Sequence, residues 1–170
     1  LDEIGEIPLE IQSKLLNALQ DRQIKRLGGT AAIPVDVRIV SATNVDLAKM
    51  VRERKFRQDL YYRLNVVPIH VKPLRERTQD VLPLIKHFLS LYTEQYHQKK
   101  NIVPEAMNCL LNYPWPGNVR ELKNTIERIV VTSPGNVVSI QDIPEEIRKG
   151  RFEETGDRGG DKNHVIQLGR

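Results

Sequence analysis

The stretch VDVRIVSATN, residues 35–44, decides how the first half of the chain is read. Val35, Val37 and Ile39 alternate with polar neighbours before the run turns polar, the period of a half-buried strand, so a strand is expected to end near Thr43 and Asn44. In open α/β sheets ligands gather beyond the carboxyl ends of the strands. Asn44 therefore stands where an amide can hold a water or a phosphate oxygen, although a lone asparagine serves a turn equally well. Upstream, Pro8 suits the first turn of a helix, and Ile11, Leu15, Ala18 and Leu19 then recur at helical spacing through IQSKLLNALQD. Between that helix and the strand, RQIKRLGGTAAIPVDV reads as two short extended runs around Gly28 and Gly29. Downstream, DLAKMVRERK predicts a short helix, FRQDLYYRLN fits helix or loop, and VVPIHV is a short β-prone run closed by Lys72 and Pro73.

After PLRERTQ, which reads as a linker, the pattern becomes helical. Val81, Leu84, Ile85, Phe88, Leu89 and Tyr92 form one face of a long helix whose first turn tolerates Pro83. Pro104 opens a second helix through EAMNCLLNY, and the run Tyr113-Pro114-Trp115-Pro116-Gly117 must end it. Asn118 is expected to cap a third, with Glu121 completing a capping-box pair and Val119, Leu122, Ile126, Ile129 and Val130 facing inward. From Gly150 the tail GRFEETGDRGGDKNH is polar and rich in glycine, the composition of a flexible linker.

Composition narrows the function classes. The chain has 170 residues, 39% of them hydrophobic, enough for a core. No apolar run approaches the roughly 20 residues of a membrane helix and no signal peptide opens the sequence, so a cytoplasmic protein is expected. The single cysteine, Cys109, forms no internal disulfide and sits at helical spacing in AMNCLLNY as a core residue. A net charge of +4 without a run of like charges or a reader motif gives little support to direct nucleic-acid binding.

Several residues could carry chemistry. The adjacent carboxylates Asp2 and Glu3 follow an apolar residue, the arrangement that sets one acid near a magnesium ion and another near an attacking water, and also that of a solvated loop. Arg57 and Arg63 lie six apart, on different faces of one continuous helix, so a shared target requires an irregular segment. Each offers a guanidinium fork to phosphate, or a local ion pair with Asp59; Arg75 and Arg77 invite the same two readings. Arg120 differs because it falls in a helix's first turn, where a cation opposes the macrodipole and asks for an anion or a carboxylate. Trp115, between prolines, reads as a packing anchor.

Taken in order, LDEIGEIP, KLLNALQD, DVRIVSATN, FRQDLYYRLNVVPI, PLRER and YPWPGNVREL resemble the sigma-54 interaction family of AAA+ ATPases, from Leu1 to Arg148. YPWPGNVREL and FRQDLYYRL are specific to that family within AAA+ proteins. The resemblance implies an α/β fold: part of an AAA+ P-loop NTPase core over residues 1–74, then a small all-α lid over 75–149 and a linker tail over 150–170. It implies ATP and magnesium as cofactors. Asp2 and Glu3 match the Walker B pair, Asp2 assisting the metal and Glu3 polarising the hydrolytic water. Asn44 lies in the sensor I segment, Arg57 and Arg63 match arginine fingers that reach a neighbouring subunit's nucleotide, and Arg120 matches sensor II. The implied partners are sigma-54 RNA polymerase and further copies in a homo-oligomeric ring, with promoter DNA reached only through a helix-turn-helix domain that this sequence does not carry.

The sequence departs from the family pattern in two places. It contains no GxxxxGK[ST], the loop whose amides and lysine cradle phosphates, and no GAFTGA-like loop. It therefore reads as a fragment of an activator that couples ATP hydrolysis to remodelling of the closed promoter complex, the alternative being a truncated, non-catalytic module that joins rings of an intact homologue. In the family's sheet the phosphate-loop strand lies between the strands matching VRIVSAT and VVPIHV. Without it, those two strands are expected to keep unpaired edges and to exchange their amides quickly, with the lid better protected.

Overall fold

A computed structural model describes residues 1–26, 28–150 and the backbone of 164–169. It divides into two compact units, one formed by Leu1–Lys72 with the strand near the C-terminus and the other beginning at Pro73.

In the first unit a 3-10 turn, Ile4–Glu6, leads into α1, Leu9–Asp21, with Pro8 as N-cap. The carbonyl of Pro8 accepts the amides of Ile11 and Gln12, so proline's missing N–H is lost where no helical bond was due. The inward face of α1 differs from the expected one: Gln12 and Leu16 are buried, Leu15 and Leu19 partly so, and Ile11 is 44% exposed. Strands β1, Gln23–Lys25, and β2, Ala32–Pro34, then form an antiparallel hairpin, as the runs around Gly28 predict. Next come β3, Ile39–Thr43, and α2, Leu47–Arg52, capped by Asp46, whose Oδ1 accepts the Lys49 amide at 3.0 Å. The ambiguous FRQDLYYRLN becomes α3, Gln58–Leu64, held by buried Leu60 and Leu64 beside Phe56, Leu47 and Ile4. Strand β4, Val67–Val71, follows.

The second unit begins at Pro73. PLRERTQ is not a free linker: it winds into two 3-10 turns, Leu74–Glu76 and Thr78–Asp80, and Leu74 is buried in the helical core. Helices α4, Val81–Tyr96, α5, Pro104–Asn112, and α6, Asn118–Thr132, then surround Ile85, Leu110, Leu122 and Ile126, each inaccessible to solvent. Two two-residue strands, β5 at Asn101–Ile102 and β6 at Val137–Val138, pair in parallel beside them, and α7, Glu145–Arg148, closes the unit. Trp115 is the packing anchor its flanking prolines suggested, 1% exposed with its indole N–H donating to the Leu110 carbonyl at 2.9 Å. Cys109 packs against the same core. Lys100 is buried too, its ammonium donating to the carbonyls of Ser133 at 2.6 Å and Gly135 at 2.7 Å, just past the end of α6.

The tail overturns one expectation. His164–Gly169, read as part of a linker, is a strand, β7, and it lies between β3 and β4, antiparallel to both. Ala42 and Ile69 both register with Ile166, so β3 and β4 run parallel to each other on either side of it. The edges expected to be unpaired are therefore paired. The run HVIQLG has β-prone residues of its own, and satisfying two rows of backbone donors and acceptors outweighs the glycine-rich composition around it. The other tail residues of the 150–170 segment lie outside the described residues.

Candidate functional site

The carboxyl end of β3 organises the first unit's polar residues. The Leu1 nitrogen donates to the Val40 carbonyl at 2.8 Å, and the Leu1 carbonyl accepts the Ala42 amide at 2.9 Å. That is the slanted exchange of a parallel bridge, so the chain at Leu1 runs beside β3 in the same direction. Asp2 and Glu3 thus leave the sheet at the end where Asn44 leaves it.

Two features tighten this corner. Gly5 sits so close to the loop after β3 that a Cβ on it would lie 2.3 Å from Val45 Cγ2 and 3.2 Å from Thr43 Oγ1. Only glycine lets the DEIGE turn seat on residues 43–45. Glu3 has φ 51° and ψ 44°, left-handed backbone that a non-glycine residue adopts at a cost and that clusters where a site holds its geometry. Asp2 Oδ1 accepts the Glu3 amide at 3.0 Å, and both side chains are solvent-accessible. Asn44 is half-buried, and its Oδ1 is buried without a hydrogen-bond partner among the described residues. A buried, unpaired amide oxygen is costly unless something polar meets it.

The arginines stand in different circumstances. Arg57 precedes α3 as its N-cap residue in extended conformation, which supplies the irregular segment that a target shared with Arg63 would need. Its guanidinium is paired with Asp59 by Nε to Oδ1 at 3.0 Å and Nη2 to Oδ2 at 2.6 Å. That pair holds the Asp59 carboxyl below its ordinary range and raises Arg57. Both side chains are more than 40% exposed, and exposed pairs of this kind are weak and readily exchanged. Arg57, Gln58, Asp59 and Tyr62 line an open recess of about 470 Å³. Arg63, in the last turn of α3, is exposed and makes one long contact to the Leu19 carbonyl at 3.4 Å.

In the second unit, the chain reverses sharply before α6. Trp115 and Asn118 have positive φ, and Asn118 Oδ1 accepts the Leu74 amide at 2.7 Å, tying the first 3-10 turn to the start of α6. The expected capping box is half present. Gly117 is the N-cap residue rather than Asn118, and the Glu121 carboxylate accepts the Gly117 amide at 2.7 Å. Arg120 is exposed in the first turn of α6 with no hydrogen bond or ion pair among the described residues. A cation there, unneutralised by a carboxylate, opposes the helix macrodipole. Arg77 pairs at 3.6 Å with Asp80, the local bridge that was one of its two readings.

Gln12 went unnoticed in the sequence, because polar type argued against burial. It is inaccessible, with Nε2 donating to the Ile7 carbonyl at 2.8 Å and the Lys55 carbonyl at 3.2 Å, and Oε1 accepting the Arg57 amide at 2.9 Å. Its spacing from Leu16 was the available signal.

The donor set fits the water and metal side of a nucleoside triphosphate site: two accessible carboxylates and an unpaired amide oxygen at one corner. No group of three or more His, Cys, Asp or Glu poised to hold a metal ion by themselves occurs among the described residues.

Comparison with known proteins gives two family matches: the Sigma-54 interaction domain over residues 1–70 and the AAA+ ATPase lid domain over residues 75–159. The DNA-binding transcriptional activator HyfR of Escherichia coli K12 is 50% identical over 141 residues, 82% of this chain and 21% of HyfR. The regulatory protein AtoC of the same organism is 49% identical over 150 residues, 88% of this chain and 32% of AtoC. The crystal structure of NtrX from Brucella abortus in complex with ATP superposes with a TM-score of 0.82 at 39% identity, covering 93% of this chain and 37% of NtrX. The chain thus spans between about a fifth and two fifths of these relatives' lengths.

Proposed function

This chain belongs to the sigma-54-dependent activator family of AAA+ ATPases, and from that premise we propose that it carries the hydrolytic and sensing half of an ATP-driven remodeller of sigma-54 RNA polymerase. One observation carries the reading: Gly5 seats the Asp2-Glu3 turn against residues 43–45, beside an Asn44 amide oxygen that is buried and unpaired. The Asp2-Glu3 turn and Asn44 thus lie at the same end of β3, and carboxylates and an amide used together there would position a water for attack on a phosphoryl group.

Bound ATP with magnesium supplies the phosphoryl group and the charge that offsets it. Asp2 would hold the metal's water shell, and Glu3 would orient the attacking water and take its proton. The Asn44 amide would hold its place beside the transferred group. Arg57, released from Asp59, and Arg63 would reach the nucleotide of a neighbouring copy, which makes a ring the working form. Arg120 would offer its guanidinium to a phosphate. No helix among the described residues is long and apolar enough to cross a membrane, and a cytoplasmic setting suits such a task.

The test supplies the missing cradle by joining this chain to a GxxxxGK[ST]-bearing segment of a sigma-54 activator. The chimera should hydrolyse ATP, and Glu3→Gln should abolish turnover while nucleotide binding persists. Arg57→Ala and Arg63→Ala should each cut turnover by about 10³-fold or more, the scale of a trans arginine, with little change in affinity. Wild-type turnover in Glu3→Gln, or equal losses of binding and turnover in the arginine variants, would overturn the assignment.

A further inference from the structure

We infer that Gln12 is a positioning residue for Arg57, fixing the arginine's backbone to the turn that carries Glu3. The inference rests on the reading of Arg57 above and adds to it the means by which the arginine is aimed.

Gln12 uses both amide donors and its oxygen on three backbone groups. The donors go to Ile7, the residue that ends the DEIGE turn, and to Lys55, two residues before Arg57; the acceptor takes the Arg57 amide itself. No part of the side chain reaches solvent. Arg57 needs such a hold. It is extended, precedes the first turn of α3, and its own side chain makes no capping bond. Its amide would otherwise point to no partner within the helix. The neighbouring segment is irregular as well: Arg54 has φ 58°, and the amides of Lys55 and Phe56 both return to the Met50 carbonyl, at 2.9 and 3.3 Å. The amide of one buried glutamine therefore links two parts of the proposed site, the Glu3 turn and the Arg57 segment.

A residue that merely filled space there would need no polar ends. A buried amide with three partners costs desolvation that an apolar side chain of equal length avoids, and what it gains is directional: backbone groups held at fixed distances. Replacing it with an isosteric apolar residue should thus leave packing largely intact while letting the Arg57 backbone drift. Misplacement of a group that acts on the transferred phosphoryl lowers turnover more than ground-state binding.

The experiment uses the ATP-hydrolysing chimera described above, with Gln12→Met, Arg57→Ala and the double variant. Gln12→Met should lower kcat by about tenfold or more with KM within about twofold, and the double variant should be no slower than Arg57→Ala alone. Amide exchange at Arg57 should quicken in Gln12→Met while α4 and α6 are unchanged. If Gln12→Met melts below the assay temperature, Gln12→Asn, which keeps both polar ends on a shorter stem, is measured in its place with the same expectation. Normal turnover in the Gln12 variant beside a defective Arg57→Ala overturns the role of Gln12 alone, as does a double variant that loses the product of the two single effects. Full turnover in Arg57→Ala overturns the reading of Arg57, and the role of Gln12 falls with it.

Discussion

Glu121 concentrates the electrostatics of the turn before α6 in one carboxyl group. It accepts the Gly117 amide, and the Gly117 backbone lies so close that a Cβ there would come within 2.7 Å of Glu121 Cβ. Burial pushes the Glu121 carboxyl above its ordinary value of 4.5, although the bonds from Gly117 and Tyr113 pull the other way. Burial and the facing carboxylate likewise raise the Tyr113 hydroxyl. A glutamate whose folded value is raised binds its proton more tightly in the folded state. Its stabilising contribution is complete below the unfolded value near 4.5 and is lost as pH climbs through the higher folded value. Glu121→Gln keeps an acceptor for Gly117 without the charge. Thermal melts should therefore show the variant gaining on the parent as pH rises from the unfolded value near 4.5 through the raised folded value, and a parent that gains stability over that span relative to the variant would contradict the assignment. At this scale the end of β3 at Thr43 was legible in the sequence, because the alternation turns polar there. Gln12 and Asn118 were not. A helical pattern read from apolar residues passes over a glutamine buried for its hydrogen bonds, and an asparagine before a helix reads as a cap when its side chain instead serves the Leu74 amide.

Strand β7 shows how an element can escape its own composition. HVIQLG is as β-prone as VVPIHV, yet the glycines and charges before it read as a linker, and only the facing edges of β3 and β4 give it a place. Helix α3 was ambiguous for the converse reason: Leu60 and Leu64 have the right spacing, but about two turns are too short for periodicity alone to decide, and burial against α1 and α2 settled it. The long α4, the break after Asn112 and the hairpin around Gly28 were legible because proline, glycine and sustained spacing all agreed. A chain ending at Gly150 lacks β7. The amides of β3 and β4 that face β7 would then lose bonds worth about 0.5–1.5 kcal/mol each. Exchange there should quicken by on the order of tenfold or more while α4–α6 keep their protection. Unchanged exchange in β3 would mean that another segment pairs with it.

Across the molecule, each unit has its own apolar cluster, one around Ile4, Leu60 and Leu64 and the other, larger, around Ile85, Leu110, Trp115 and Ile126. The helical pattern that follows PLRERTQ belongs to the second unit, and Leu74 is drawn into that unit's core. Separate cores imply separate cooperativity, so denaturant titration followed by amide exchange should resolve two transitions, the helical unit opening last. One coincident transition for both units would refute that. The buried ammonium of Lys100 offers a chemical clock for the later event. An amine must reach an acylating reagent to attack it, and Lys100 is 6% exposed with its Nζ held by the carbonyls of Ser133 and Gly135. While the unit stays closed, the exposed lysines should be acylated and Lys100 spared. Once acylated, that side chain could no longer hold Ser133 and Gly135 as an ammonium, so each labelling event would also be a ratchet against closure, and the rate at which Lys100 gains its label would count the openings of the helical unit one by one.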